Sequence, residues 1–181
     1  MKKILAFAGS NVSNSINHLL VSSIANKITM AEVELIELRH FDVPMYSYDI
    51  EKESGIPHNT QFVYEKIATA DGLIVSVSEH NSNVSAFFKN YFDWMSRINP
   101  KFLQGKKVLL MSTSPGERGG KSALEFVRDH YFFRFGADIT DSFTFPSFQK
   151  NFDTTKNEVT NEILTIGIND LVSNFEQNFV N

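Results

Sequence analysis

Cysteine is absent from all 181 residues, which excludes disulfides, thiolate metal sites, iron–sulfur clusters and cysteine nucleophiles. Any redox chemistry must therefore reside on a bound group. Long apolar runs are also missing, and nothing approaches the roughly 20 residues that cross a bilayer. The amino terminus, Met1-Lys2-Lys3-Ile4-Leu5-Ala6-Phe7-Ala8, is charged and then apolar like an export signal. Its apolar run nevertheless falls short of the ~7–15 residues such a signal uses. It reads as a first strand, and the expected location is the cytoplasm. Positive charge is not in excess: 17 Lys and Arg stand against 21 Asp and Glu, with a pI near 5.7. A nucleic-acid partner, which calls for a basic face, is not expected. The histidines, His18, His40, His58, His80 and His130, have no metal-ligand spacing, so no metal is expected. The Gly-x-Ser-x-Gly elbow, the Walker A loop and Gly-x-Gly-x-x-Gly are all absent, which counts against a serine hydrolase, ATP and a Rossmann dinucleotide site.

What is present is a regular alternation of strand and helix. Ile4 to Ala8 is a short apolar run of the kind buried on both faces of a parallel sheet. Helical spacing follows from Ser15, and Val33 to Leu38 alternates as a half-open strand. Pro44, Gly55 and Pro57 mark a long loop. The pattern then predicts a helix over Phe62 to Ala70, a central strand over Gly72 to Val77 and a helix through Val84 to Met95. A strand over Lys107 to Met111, an aromatic-rich helix over Ser122 to Phe135, a strand over Ile139 to Phe143 and a last helix over Glu158 to Phe179 complete the chain. Five such alternations without a linker predict one α/β domain over residues 1–181, with a five-stranded parallel sheet covered by helices on both sides. Ligands of such sheets bind beyond the carboxyl ends of the strands, and three polar loops follow the first, third and fourth strands.

The first of these loops, Gly9-Ser10-Asn11-Val12-Ser13-Asn14-Ser15-Ile16-Asn17, sets small hydroxyl and amide side chains before a helix start. Free N–H groups and the positive end of the helix dipole there suit a phosphate, and equally an ordinary capping loop. Gly9-Ser10, Ser15 and Asn17 match the Gly-Ser-x-x-x-x-Ser-x-Asn loop of the NADPH-dependent FMN reductase family. Glu79-x-Asn81, Lys89-Asn90, Asp93-Trp94 and Ser96-Arg97 match its Pro-Glu-Tyr-Asn, Leu-Lys-Asn and Asp-Trp-x-Ser-Arg segments at the same spacing. Ser112-x-Ser114, Gly116 and Gly119-Gly120 resemble its third flavin loop, and Pro44-x-Tyr46 a loop bordering flavin and substrate. The resemblance covers roughly residues 1–150.

That resemblance implies a flavodoxin-like three-layer sandwich holding FMN, with NADPH or NADH as reductant and a quinone, flavin, azo compound or similar small molecule as acceptor. Carried over, Gly9, Ser10, Ser15, Ile16 and Asn17 hold the phosphate. Glu79, His80, Asn81 and Ser82 line the ring edge, Ser112, Ser114, Gly116 and Gly119 form the third loop, and Pro44 and Tyr46 border the site. No side chain is assigned a catalytic acid or base role, because the flavin carries the chemistry. The family also implies a homodimer or homotetramer, with Phe87, Tyr91, Trp94 and Met95 as apolar interface; packing on the chain's own sheet is the alternative. Arg118 is either a contact for the nicotinamide phosphate or simply exposed. The chain departs from the family pattern in having Val12 for arginine, His80 for tyrosine, and Ser78, Ser85 and Ala86 for proline, proline and glycine. Two other readings stay open at this point, an FMN-binding electron carrier without NAD(P)H turnover and a flavin-free interaction domain.

Overall fold

The computed structural model describes residues 1–180. The chain enters as β1 (Lys3–Gly9), whose residues from Ile4 onward are all buried, and passes through a polar loop into α1 (Ile16–Ala25). β2 (Glu32–Ile36) is mostly open and ends in a 3-10 turn over Leu38–His40, two residues before the expected strand end. A short helix, α2 (Tyr48–Ser54), occupies part of the segment that the prolines and glycine mark as a loop. Ser47 caps it by accepting the Asp49 N–H, and none of its residues is buried, so no apolar period announces it. α3 (His58–Thr69) leads to β3 (Gly72–Val77), every residue of which is buried.

A two-stranded hairpin, β4 (Glu79–His80) and β5 (Asn83–Val84), then delivers the chain to α4 (Ala86–Ile98), capped by Ser85. β6 (Lys107–Thr113) is followed by α5 (Lys121–Phe126), which runs through a π-helical turn (Val127–Phe132) into α6 (Phe133–Phe135). β7 (Asp138–Phe145) is longer than expected at both ends. Beyond it come α7 (Phe148–Asn151), a small hairpin of β8 (Phe152–Asp153) and β9 (Glu158–Val159), and α8 (Glu162–Val180). The final helix therefore starts at Glu162 and not at Glu158. Glu158 and Val159 are taken up in pairing with Asp153 and Phe152, and Asn161 Oδ1 accepts the Leu164 N–H at the helix start.

The five-stranded parallel sheet has the order β2-β1-β3-β6-β7. Successive strands build outward in one direction from β1 to β2 and in the other from β3 to β7. The switch lies between β1 and β3, where a crevice opens beyond the carboxyl ends. One face of the sheet packs on α3, α4 and α5 through residues such as Val63, Phe88 and Leu124; the other packs on α1 and α8 through Leu20, Ile24, Ile168 and Phe175. This is the expected flavodoxin-like sandwich.

Three of the four residues expected to give α4 an apolar interface are used inside the chain instead. Tyr91 and Trp94 are 0% exposed and Met95 is 2% exposed, all inside the chain's own core. Trp94 Nε1 donates to the Pro44 carbonyl at 2.8 Å, and the Tyr91 hydroxyl donates to the Phe41 carbonyl. Packing on the chain's own sheet and connecting segment uses this helix face, leaving Phe87 half-buried beside Tyr91.

Candidate functional site

The loop after β1 begins at Gly9 because α4 crosses it closely: a Cβ there would stand 2.5 Å from Phe88 Cδ2. Ser85 fastens the same crossing, accepting the Phe88 N–H and donating to the Gly9 carbonyl at 2.9 Å. Ser10 Oγ accepts the Val12 N–H, and Ser15 Oγ caps α1 by accepting the His18 N–H. The N–H groups of Ile16 and Asn17, in the first turn of α1, find no acceptor among the described residues. They and the helix dipole form the positive wall of the crevice.

Asn17 is 4% exposed, and its side-chain amide is saturated. Nδ2 donates to Ser78 Oγ (3.2 Å) and the Thr113 carbonyl (3.4 Å), while Oδ1 accepts from Ser76 Oγ (2.7 Å) and the Thr113 N–H (3.2 Å). One side chain thus joins the first loop to the carboxyl ends of β3 and β6. An amide with four partners has nothing left for a phosphate. Its expected role as a side-chain ligand gives way to a positional one, and only its backbone N–H remains for an anion.

The loop after β3 is the β4–β5 hairpin, closed by Asn81 (φ 52°) and Ser82 (φ 62°). Consecutive left-handed residues make the two-residue turn that suits a hairpin, for which Asn-Gly is the favoured pair. Ser82 holds this conformation with a side chain that disfavours it, and Ser82→Gly is expected to raise stability by about 0.5–1 kcal/mol. Urea denaturation measures it, and an unchanged or lower midpoint would mean that the Ser82 side chain contributes a compensating contact.

Glu79 bridges this hairpin to the third loop. Its Oε2 accepts the Ala123 N–H (3.1 Å) at the start of α5, where the capping position is Gly120 and offers no side chain. In the third loop itself, Ser112 is fully buried and donates to the Gly119 carbonyl (2.7 Å). Gly119 has φ 58°, and a Cβ there would lie 2.7 Å from the Phe145 carbonyl oxygen. The loop after β7 braces the third: Ser147 N–H donates to the Gly116 carbonyl (2.9 Å) and Phe148 N–H to the Ser114 carbonyl (3.1 Å).

These loops enclose an open cavity of about 280 Å³ lined by Ser10, Val12, Asn14, Ser15, Ile16, Asn17, Ser78, Glu79, His80, Thr113, Ser114, Pro115 and Gln149. Seven residues singled out from sequence therefore line one cavity: Ser10, Ser15, Ile16, Asn17, Glu79, His80 and Ser114. Gly9, Ser112, Gly116 and Gly119 support it from outside the lining, and Asn81 and Ser82 form the hairpin tip. Pro44 and Tyr46 do not line it. Asn90 holds them on α4, accepting the Tyr46 N–H (2.7 Å) and donating to the Pro44 carbonyl (2.9 Å). The Tyr46 ring stands edge-on to Trp94 at 5.1 Å, and its hydroxyl donates to Glu51, which also receives Arg97. Those two donors, Arg97 first, hold the Glu51 carboxyl below its ordinary pKa.

Six lining residues, Val12, Asn14, Ser78, Thr113, Pro115 and Gln149, are ones that sequence reasoning did not assign to the site. Ser78 and Thr113 sit at strand ends, where the topology alone points, and Val12 and Asn14 lie inside the first loop. Gln149 lies on the single turn α7 within a fourth loop, after β7, that carries no glycine signal, and Pro115 lies in the third loop. No lysine or arginine lines the cavity; Arg118 donates instead to Ser122 Oγ (2.9 Å). A phosphate ester fits this donor set: two free N–H groups at a helix start, hydroxyls beside them and no fixed carboxylate except Glu79, which is already engaged.

Comparison with known proteins agrees with this geometry. The family model described as NADPH-dependent FMN reductase matches residues 2–150. A quinone reductase of Escherichia coli (strain K12) is 33% identical over 119 residues, 65% of this chain and 63% of that relative, so the match spans less than two thirds of its length. An NADPH:quinone oxidoreductase of Arabidopsis thaliana is 29% identical over 170 residues, 90% of this chain and 86% of its own. Among solved structures, a flavoenzyme NAD(P)H:(acceptor) oxidoreductase from Paracoccus denitrificans superposes with a TM-score of 0.77 at 21% identity, covering 99% of this chain and 97% of that one. At that identity the likeness is one of fold.

Proposed function

The chain belongs to the NADPH-dependent FMN reductase family, and from that membership we propose that it is an FMN-dependent NAD(P)H oxidoreductase. It reduces quinones, free flavins, azo compounds or similar small acceptors by ping-pong transfer. The observation that carries this reading is the cavity at the switch point of the sheet, with unpaired helix N–H groups on one wall and two further loops facing them. Bound FMN would supply the electron chemistry, taking a hydride from the nicotinamide and passing its electrons to the acceptor.

The residues do the holding. Ser10, Ser15 and the N–H groups of Ile16 and Asn17 bind the phosphate. Glu79, His80, Asn81 and Ser82 flank the ring from the hairpin, and Ser112, Ser114, Gly116 and Gly119 set the approach of the third loop. Glu79 serves by position, because its carboxylate is tied to the Ala123 N–H. Since α4 keeps Pro44 and Tyr46, their part is to fix that helix and its connection. We place the enzyme in the cytoplasm, where reduced nicotinamide is supplied, and as a homodimer or homotetramer. Met45 and Tyr48, both 66% exposed on the segment seated on α4, provide apolar surface for a second copy.

Initial rates with varied NADPH and varied benzoquinone test the reading. Parallel double-reciprocal lines are expected, as for a reductant that leaves before the acceptor enters. Intersecting lines would overturn the ping-pong order, and no turnover by FMN-loaded protein would replace the enzyme with an electron carrier.

A further inference from the structure

The polar side chains around the cavity divide sharply by whether the protein already uses them. Ser10, Ser15, Asn17, Ser78, Glu79, Thr113 and Ser114 all hold partners within the chain. Asn14, His80 and Gln149 hold none among the described residues. Of these three, Gln149 has the best-anchored backbone. The two preceding residues are both fixed, Ser147 through its N–H on the Gly116 carbonyl and Phe148 through its N–H on the Ser114 carbonyl. The Phe148 ring is 0% exposed and stacks on Phe152 at 4.6 Å, and Asn151 Nδ2 closes the turn on the Pro146 carbonyl at 2.9 Å. An exposed, unpartnered amide is thus carried on a backbone held at both ends, so that contact with a ligand requires ordering of the side chain alone and not of the loop.

Gln149 shares its cavity with Ser10, Val12, Asn14 and Ser15 of the first loop, and no lysine or arginine lines that cavity. We propose that Gln149 is a ligand residue of this site, its Nε2 donating to the phosphate group of the bound cofactor as a neutral substitute for a fixed cation. This rests on the reading that the cavity takes FMN. Two consequences separate it from a purely structural role. The contact concerns the phosphate and not the ring, and because the donor is neutral the binding depends little on salt, whereas an ion pair at this exposed site is screened.

The test measures dissociation constants for FMN and riboflavin, by flavin fluorescence quenching at low and high salt, on the intact chain and on Gln149→Ala and Gln149→Arg. Gln149→Ala is expected to weaken FMN about 5- to 10-fold, less than the full effect of a hydrogen bond to a charged group because water restores part of it at this open site, and to leave riboflavin unchanged. Gln149→Arg is expected to tighten FMN and to make its binding salt-dependent. An unaltered FMN constant in Gln149→Ala, or equal losses for FMN and riboflavin, would overturn the proposal. A separate titration of the unmodified protein with inorganic phosphate follows the Gln149 side-chain amide by NMR. A shift there without any FMN binding would retain the anion contact and remove the FMN reading, while no shift with either phosphate or FMN would remove the contact.

Discussion

Replacing Ser10 and Ser15 together by alanine is expected to weaken FMN binding by about 100-fold. Each hydroxyl stands at the wall formed by the free Ile16 and Asn17 N–H groups, and a hydrogen bond to a charged group contributes about 1.5–3 kcal/mol, part of which water restores at an open site. With no lysine or arginine in the lining, no fixed cation makes up for the lost hydroxyls. Ser15 also caps α1, so its removal lowers stability by about 1 kcal/mol in its own right. Ser15→Asn keeps the cap and serves as control. Fluorescence titration with FMN and riboflavin separates the effects. A large loss for FMN and a small one for riboflavin assigns the hydroxyls to the phosphate, and an unchanged FMN constant would take the first loop out of that role.

Asn17→Ala is expected to lower folding stability by about 3 kcal/mol, because it strands buried partners on three strands and loops at once. Ser76 and Ser78 are buried, as is Thr113, and an unsatisfied buried polar group costs about 1–3 kcal/mol. The loops it joins would lose their common anchor, so FMN binding should weaken in parallel. Asn17→Asp keeps the acceptor for Ser76 and for the Thr113 N–H but loses both donations and sets a carboxylate against the Thr113 carbonyl. It should be at least as damaging. Urea denaturation without and with FMN checks both variants. Full stability with lost FMN affinity would return Asn17 to the status of a direct ligand.

Much of this arrangement is legible before any coordinates. β3 reads as central from an unbroken apolar run, and all six of its residues are buried. The first loop is legible because glycine, serines and asparagines cluster where a strand meets a helix. Other parts leave no trace of the same kind. α2 buries nothing, so its sequence carries no period. The π-helical turn interrupts a pattern that looks like plain α-helix, and its cause is tertiary: Phe92 receives both Tyr131 and Phe132, at 6.0 and 5.6 Å, from that wider turn. The fourth loop is hidden twice over. β7 runs two residues past its expected end to Phe145, and the contacts that brace the third loop are backbone to backbone, so they name no side chain. Asn17 illustrates a subtler limit. Its presence in the motif is visible, but whether a buried amide faces a ligand or its own loops depends on four hydrogen bonds to three residues, all more than fifty residues away in sequence.

The measurement that bears most directly on the whole account is an absorbance spectrum of the purified chain after FMN addition and desalting, followed by anaerobic NADPH and then NADH. Retained flavin absorbance that bleaches with either nucleotide is the predicted result. Retained absorbance that neither nucleotide bleaches would contradict the reductase, and no retained absorbance would contradict the FMN site itself.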